Sequence, residues 1–247
     1  MTAPRGGRGG DWGPLYRAGA VAAGGATVVY VAALVIVTAS PAAASSDGVA
    51  LLEHVAAHRT LYLVRQLMWL APSLFLMVTS LALTVAMWGR DRALAAVAGL
   101  ISLSSWAISL AWPTTGDGSL AMVVLSDRYA AATDEAVRAS YVAGAELLSA
   151  LNDVPAVIGV LQTLGILLLG LLMLRGVFAR ALALLGVATG TVGIVAEVLR
   201  PVLGWGYAAY GLLLWVWLGW VAVALWRLGG AGGPPRTASG PAVDVPA

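Results

Sequence analysis

The chain has no cysteine and no lysine, and only two histidines among its 247 residues. Without cysteine there are no disulfides, thiolate metal sites, cysteine nucleophiles or iron–sulfur clusters. Charge is scarce too: charged residues make up 11% of the chain, against 60% apolar. That is too little polar surface to clothe a soluble domain of this size. Phosphate-binding loops of the Walker or dinucleotide kind are absent, and no Gly-x-Ser-x-Gly elbow surrounds a serine. The net charge is only +2, and no stretch of four residues holds more than two Arg, which argues against a nucleic-acid partner.

What the chain does have is six long apolar runs, at 18–40, 67–88, 93–112, 154–174, 181–199 and 207–226. Each reaches or approaches the ~20 residues that a helix rising 1.5 Å per residue needs to cross a ~30 Å hydrocarbon layer. The expected fold is therefore all-α: a polytopic integral membrane protein, built as a six-transmembrane-helix bundle over residues 15–228. The flanking segments 1–14 and 229–247, the latter rich in Gly and Pro, read as disordered and cytoplasmic.

Charge sets the expected orientation. With the termini and the turns near 90 and 177 on one side, that side holds nine Arg and three acids, and the other five Arg and nine acids. The basic side is the cytoplasmic one, so both termini are expected inside the plasma membrane. Trp12, Trp88 and Trp226 fall at the inner boundary and Trp69, Trp112 and Trp205 near the outer one, as in an aromatic belt. Arg5, Arg8 and Arg17 followed by Ala42-Ala43-Ala44 also resemble a signal peptide. The first run, however, exceeds the usual 7–15 apolar residues, which favours an uncleaved span.

The outer connections, 41–60, 113–137 and 200–206, are longer than the inner ones. Thr133 reads as the cap of a helix opening on Asp134 and Glu135, which would extend the fourth span outward. Residues 51–65 read as a helical lead into the second span. Arg92-Ala93-Leu94-Ala95 and Arg180-Ala181-Leu182-Ala183 recur at an offset of 88, each with a Pro 21 residues after its Arg. The same offset sets Arg65 opposite Asp153 and His58 opposite Glu146, a pattern compatible with a parallel repeat. Arg65 and Asp153 are expected to pair.

Glu197 lies about 24 Å above Ala181, still within the hydrocarbon. Gly186, Gly190, Gly193 and Glu197 form one helical stripe, so the carboxylate should point into the bundle. Arg200, one turn on, is its nearest partner by spacing. Arg65, Glu146, Asp153, Glu197 and Arg200 form the candidate ligand-binding set, a polar pocket at the outer face. The bland alternative is a set of structural ion pairs, with Arg65 snorkelling to the headgroups. His54 and His58 share a helical face, but spacing fixes no third metal ligand, so neither a metal nor a cofactor is expected. Ser102, Ser105 and Ser109 form a packing stripe. Trp215, Trp217 and Trp220 could line a pocket but more simply pack.

The run Leu125-Ser126-Asp127-Arg128-Tyr129-Ala130-Ala131-Ala132-Thr133-Asp134, continuing through Arg138-Ala139 to Glu146, resembles a widespread bacterial membrane-protein family catalogued only as a domain of unknown function. The resemblance extends in span layout from Tyr16 to Arg227. It implies six spans, an Ala-rich outer helix before the fourth, and an inner-membrane location; it supplies no catalytic residues. The expected function is non-enzymatic: binding of a small or lipid-like ligand, or a partner protein, at the outer face, in contact with the lipid bilayer. A small proton- or ion-coupled transporter using Glu197 and Arg65 is the alternative, and a metal-dependent membrane hydrolase using His54 and His58 the third.

Overall fold

The computed structural model describes residues 12–40, 47–112, 114–115, 118–151, 154 and 157–230, without the side chains of 114, 115 and 205. The terminal segments, the small-residue run at 42–44 and Asp153 lie outside the described residues. The elements are α1 (Gly13–Ala39), α2 (Gly48–Ala57), α3 (Arg59–Met87), α4 (Arg92–Ala111), β1 (Thr114–Thr115), β2 (Gly118–Ser119), α5 (Ala121–Ala131), α6 (Glu135–Ala150), α7 (Val157–Met173), α8 (Arg180–Val198), α9 (Arg200–Leu203) and α10 (Tyr207–Gly230). A 3-10 turn over Gly204–Gly206 joins the last two.

Five helices (α1, α3, α4, α8 and α10) are long and apolar enough to cross a membrane, while α7 is apolar but has 17 residues. The chain is thus a nearly all-helical, multi-pass membrane protein. The six apolar helices pack in the order α1–α3–α4–α7–α8–α10, and α10 returns to α1 to close a ring, with α3 and α7 also touching across it. Leu83 of α3, Leu169 of α7, Leu182 of α8 and Leu218 of α10 fill the interior. Val21, Val28 and Val35 on α1, with Leu100 on α4 and Val216 on α10, point outward, as a lipid-facing surface requires.

Small side chains set the helix spacing. A Cβ on Gly170 of α7 would lie 2.6 Å from the backbone nitrogen of Val187 on α8, so those two backbones are in contact. Between α3 and α4 the interface is hydroxylic: Ser80 Oγ lies 2.8 Å from Ser102 Oγ, and Ser73 donates to Ser109 at 3.4 Å. Ser102 and Ser105 are fully enclosed, so the serine stripe of α4 is a packing seam. In hydrocarbon such contacts supply the association that the hydrophobic effect cannot. Helix α3 runs through a buried Pro72, whose missing N–H the close packing tolerates.

At one end of the ring the two ends of the bundle meet. The Arg17 side chain lies against Gly229, and an Arg175–Asp91 ion pair ties the α7–α8 turn to the α3–α4 turn. Asp91 also caps α4, accepting from Leu94 N at 3.0 Å. At the other end α2, α5 and α6 form a three-helix cap with its own core of Leu51, Leu52, Val55, Met122, Val123 and Ala145.

The cap departs from the sequence reading in three ways. Residues 51–65 are not one lead-in helix: α2 ends at His58, whose φ of −122° and ψ of 32° break the helix before α3 begins. The cap of α6 is Asp134, not Thr133; its carboxylate accepts from Val137 N at 3.0 Å, a stronger acceptor than a hydroxyl at a helix N-terminus. And α6 is not a straight extension of α7. It is a separate helix folded onto α2 and α5, burying Ala145 there. At the offset of 88 residues α2 falls on α6, α3 on α7 and α4 on α8, with Arg92 and Arg180 each opening its helix. The long α3 falls on α7 but starts about ten residues earlier in register, so the helix break that separates α2 from α3 at His58 comes later in the second copy, between α6 and α7.

The cap is latched to the ring by the long α3. Tyr62, 5% exposed, donates to Ser119 O at 3.0 Å and accepts from Ser119 N at 3.1 Å. Gly118, at φ 143°, brings its backbone against Tyr62 and the fully buried Gln66; a Cβ there would lie 2.9 Å from Gln66 Nε2. Ser126 of α5 donates to Leu52 O of α2 at 2.7 Å, and Arg59 bonds Asp127 at 2.5 Å.

Candidate functional site

Glu197 is the one charged side chain buried among the described residues, at 5% exposure. It stands in the last turn of α8 near the capped end, and Gly186, Gly190 and Gly193 of the same stripe are buried with it. The stripe faces inward: Gly190 packs on Leu167 of α7 and Gly193 on Thr163 of α7 and Tyr210 of α10. Gly159 of α7 leaves the space into which the carboxylate extends, since a Cβ there would lie 2.5 Å from Oε2.

The two carboxylate oxygens are treated differently. Oε1 accepts a 2.5 Å hydrogen bond from the Tyr207 hydroxyl at the start of α10. Oε2 is buried without a hydrogen-bond partner among the described residues. Arg200, predicted by spacing as the partner, brings Nη1 only to 3.9 Å, too far for a hydrogen bond but near enough to attract. Its guanidinium lies over the Tyr207 ring, 5.3 Å from the centroid. Tyr207 in turn meets Tyr210 edge-on at 5.7 Å. Tyr30 of α1 packs against Trp69 of α3 at 5.9 Å, and Trp69 Nε1 is likewise buried with no partner among the described residues. The capped half of the ring thus holds a carboxylate with an open acceptor and a set of aromatic rings.

The rest of the candidate set is dispersed. Arg65 is half-buried on α3, close enough to His54 for its charge to act there. Glu146 is exposed on α6, its Cγ packed at Gly48 of α2. Asp153 and its pairing with Arg65 lie outside the described residues. His54 and His58 stack with ring centroids 4.6 Å apart, and His58 Nδ1 lies 3.2 Å from His54 O. No group of three His, Asp or Glu suited to a metal occurs among the described residues. Trp217 is buried against Gly186, whereas Trp220 is exposed to the lipid side, so these tryptophans do not line one pocket.

Tyr207 and Gly159 were missed from sequence. Tyr207 was legible: it opens the sixth run just after the turn following Glu197, which brings it back to the same depth. Gly159 carries no comparable signal, because its role depends on which face of α7 meets α8. Comparisons with family models, curated proteins and solved structures found no match.

Proposed function

We propose that this chain is a six-span protein of the bacterial plasma membrane, with both termini cytoplasmic, that binds a small ligand without chemically altering it. The site is Glu197 with Tyr207 and Arg200, beneath the outer cap. The observation that carries the reading is the buried Oε2, which lacks a partner among the described residues. An acceptor enclosed in a low-dielectric bundle without a donor is costly, and intramembrane ionisable groups are functional candidates by default. The ligand it suits brings an N–H or O–H donor, as an amine, an alcohol or a donor-bearing lipid headgroup does, and the neighbouring aromatic rings favour a cationic one. A partner protein presenting such a group is the same reading in larger form. Membership of the bacterial family of unknown function that residues 125–146 resemble is part of this proposal.

The orientation is supported by Arg17, Arg90, Arg92, Arg175, Arg180 and Arg227 at the end where the bundle's two ends meet. Exposed tryptophans at both ends, Trp12, Trp88 and Trp226 at one and Trp112 at the other, support the spanning itself, because indoles settle at either interface. A proton- or ion-coupled transporter remains the second reading, since Oε2 could equally take up a proton. Weighing against it, the other half of the ring is closed by Leu83, Met87, Leu172, Met173, Leu182 and Leu225, all at 0% exposure.

The test is a thermal-shift panel of small amines and alcohols on the purified chain in lipid nanodiscs. At least one should stabilise the wild type and leave Glu197→Gln unmoved, with the unliganded variant still folded. If every member shifts both proteins equally, or none shifts either, the reading fails.

A further inference from the structure

At the end opposite Glu197 a shallow groove of about 310 Å³ opens on the lipid side between α1 and α10, lined by Ala20, Val21, Ala222, Val223, Trp226 and Arg227. Its walls are apolar and small-chained up to the level of Trp226, where the exposed Arg227 guanidinium begins. Arg17 lies one turn before Ala20 and Val21 on α1, so it continues the same face towards the same mouth. Its stem is set against Gly229: a Cβ there would meet Arg17 Cγ at 2.9 Å. Neither Arg17 nor Arg227 pairs with a carboxylate among the described residues, whereas Arg175 at that end is taken up by Asp91. The groove therefore has an apolar floor along the hydrocarbon and two cations at headgroup depth that no carboxylate among the described residues neutralises, with a tryptophan at the boundary where indoles settle.

We infer that this groove is a binding site for one anionic phospholipid, whose acyl chain lies along Ala20, Val21, Ala222 and Val223 and whose phosphodiester sits between Arg17 and Arg227. The charge pattern selects an anionic lipid: a zwitterionic headgroup carries its own cation to the pair of guanidiniums, while a headgroup of net negative charge does not. The site also has a structural consequence. It joins α1 to α10, the contact that closes the ring, so an occupied groove should hold the first and last helices together.

The test uses the full chain in mild detergent, titrated with phosphatidylglycerol or phosphatidylcholine and read by native mass spectrometry and by thermal midpoint. Phosphatidylglycerol should bind as a single retained lipid and raise the midpoint, and phosphatidylcholine should do neither. Arg17→Gln and Arg227→Gln should each weaken that binding by about fivefold, the order expected for one cation at an anionic surface. Val21→Trp points from an exposed position and fills the apolar half; it should abolish the retained lipid without lowering the lipid-free midpoint. Arg92→Gln and Arg180→Gln, exposed at the same end but outside the groove, should leave binding unchanged. Equal retention of both lipids, equal losses from the control arginines, or retention in Val21→Trp would each mean general surface attraction and overturn the site.

Discussion

Gly159 of α7 is the floor on which the Glu197 carboxylate of α8 rests: a Cβ at residue 159 would stand 2.5 Å from Oε2 and 2.7 Å from Oε1. The atoms it would strike are the far end of a flexible side chain, so the clash can be relieved only by moving the carboxylate. Gly159→Ala should therefore act through Glu197, breaking its bond to Tyr207 at a cost of about 1–3 kcal/mol. In a Glu197→Ala background the same change should cost almost nothing. Denaturation in detergent of the two single variants and the double variant measures the coupling directly. Additive losses would show that Gly159 is needed for some other contact.

Gly170 gives the contrasting case within one interface. A Cβ there would meet Val187 N at 2.6 Å and the Gly186 carbonyl carbon at 2.8 Å, backbone atoms that cannot swing aside. Gly170→Ala must push α7 and α8 apart and should lower stability by about 3 kcal/mol, at the upper end for overpacking. The loss should exceed that of Gly159→Ala and should not depend on the residue at 197. Thermal midpoints of the two alanine variants decide the order.

These two glycines also mark what a sequence can disclose. The all-helical membrane character was plain from the apolar runs, because length and polarity alone separate a span from a soluble helix. The inward stripe of Gly186, Gly190, Gly193 and Glu197 was legible because helical spacing is local. The cap was misread for the same reason. Nothing local distinguishes α6 as an extension of α7 from α6 as a separate helix, and the choice is made by long-range burial of Ala145 against α2 and α5. The partner of Glu197 followed the same rule: Arg200 is nearer in sequence, but Tyr207 is nearer in space at 2.5 Å.

The latch between Tyr62 and Ser119 should hold the hairpin, and with it the cap, onto α3. Tyr62→Phe keeps the ring in its apolar setting but removes both the donor to Ser119 O and the acceptor for Ser119 N. A loss of about 1–2 kcal/mol is expected, at roughly 1 kcal/mol for each bond. Hydrogen exchange should localise it, with the Ser119 amide and the first turn of α5 losing protection while α8 and α10 keep theirs. A uniform loss across all helices would show that the cap and ring do not separate.

His54 in the cap titrates below the ordinary 6.5 of histidine, first because it is partly buried and then because His58 and Arg65 add positive charge nearby. In the unfolded cap it would return to the higher value, so between the two the unfolded form binds more protons. The neutral ring thus favours the folded cap above 6.5, and that contribution is lost as pH falls towards the folded-state value. Protection of α2 amides should drop between pH 7.5 and 5.5, more steeply than that of α8. His54→Gln should flatten the difference, and an unchanged pH profile in that variant would remove His54 as its source.

The contact between Arg17 and Gly229 has a topological consequence that can be read in living cells. It places the start of α1 and the end of α10 at one end of the ring, so the six-span proposal expects an even number of crossings between them. Five helices are long and apolar enough to cross, and α7 is the candidate for a sixth crossing, at 17 residues or about 25 Å. A span that short crosses by thinning the bilayer locally or by drawing on the flanking residues, at modest cost. With the arginine-rich end inside, a fluorescent protein fused at residue 247 should fluoresce, and alkaline phosphatase inserted after residue 46 should be active. Phosphatase inserted in the Arg175–Arg180 turn should be inactive. Activity there would mean that α7 does not cross, and the six-span reading would fall.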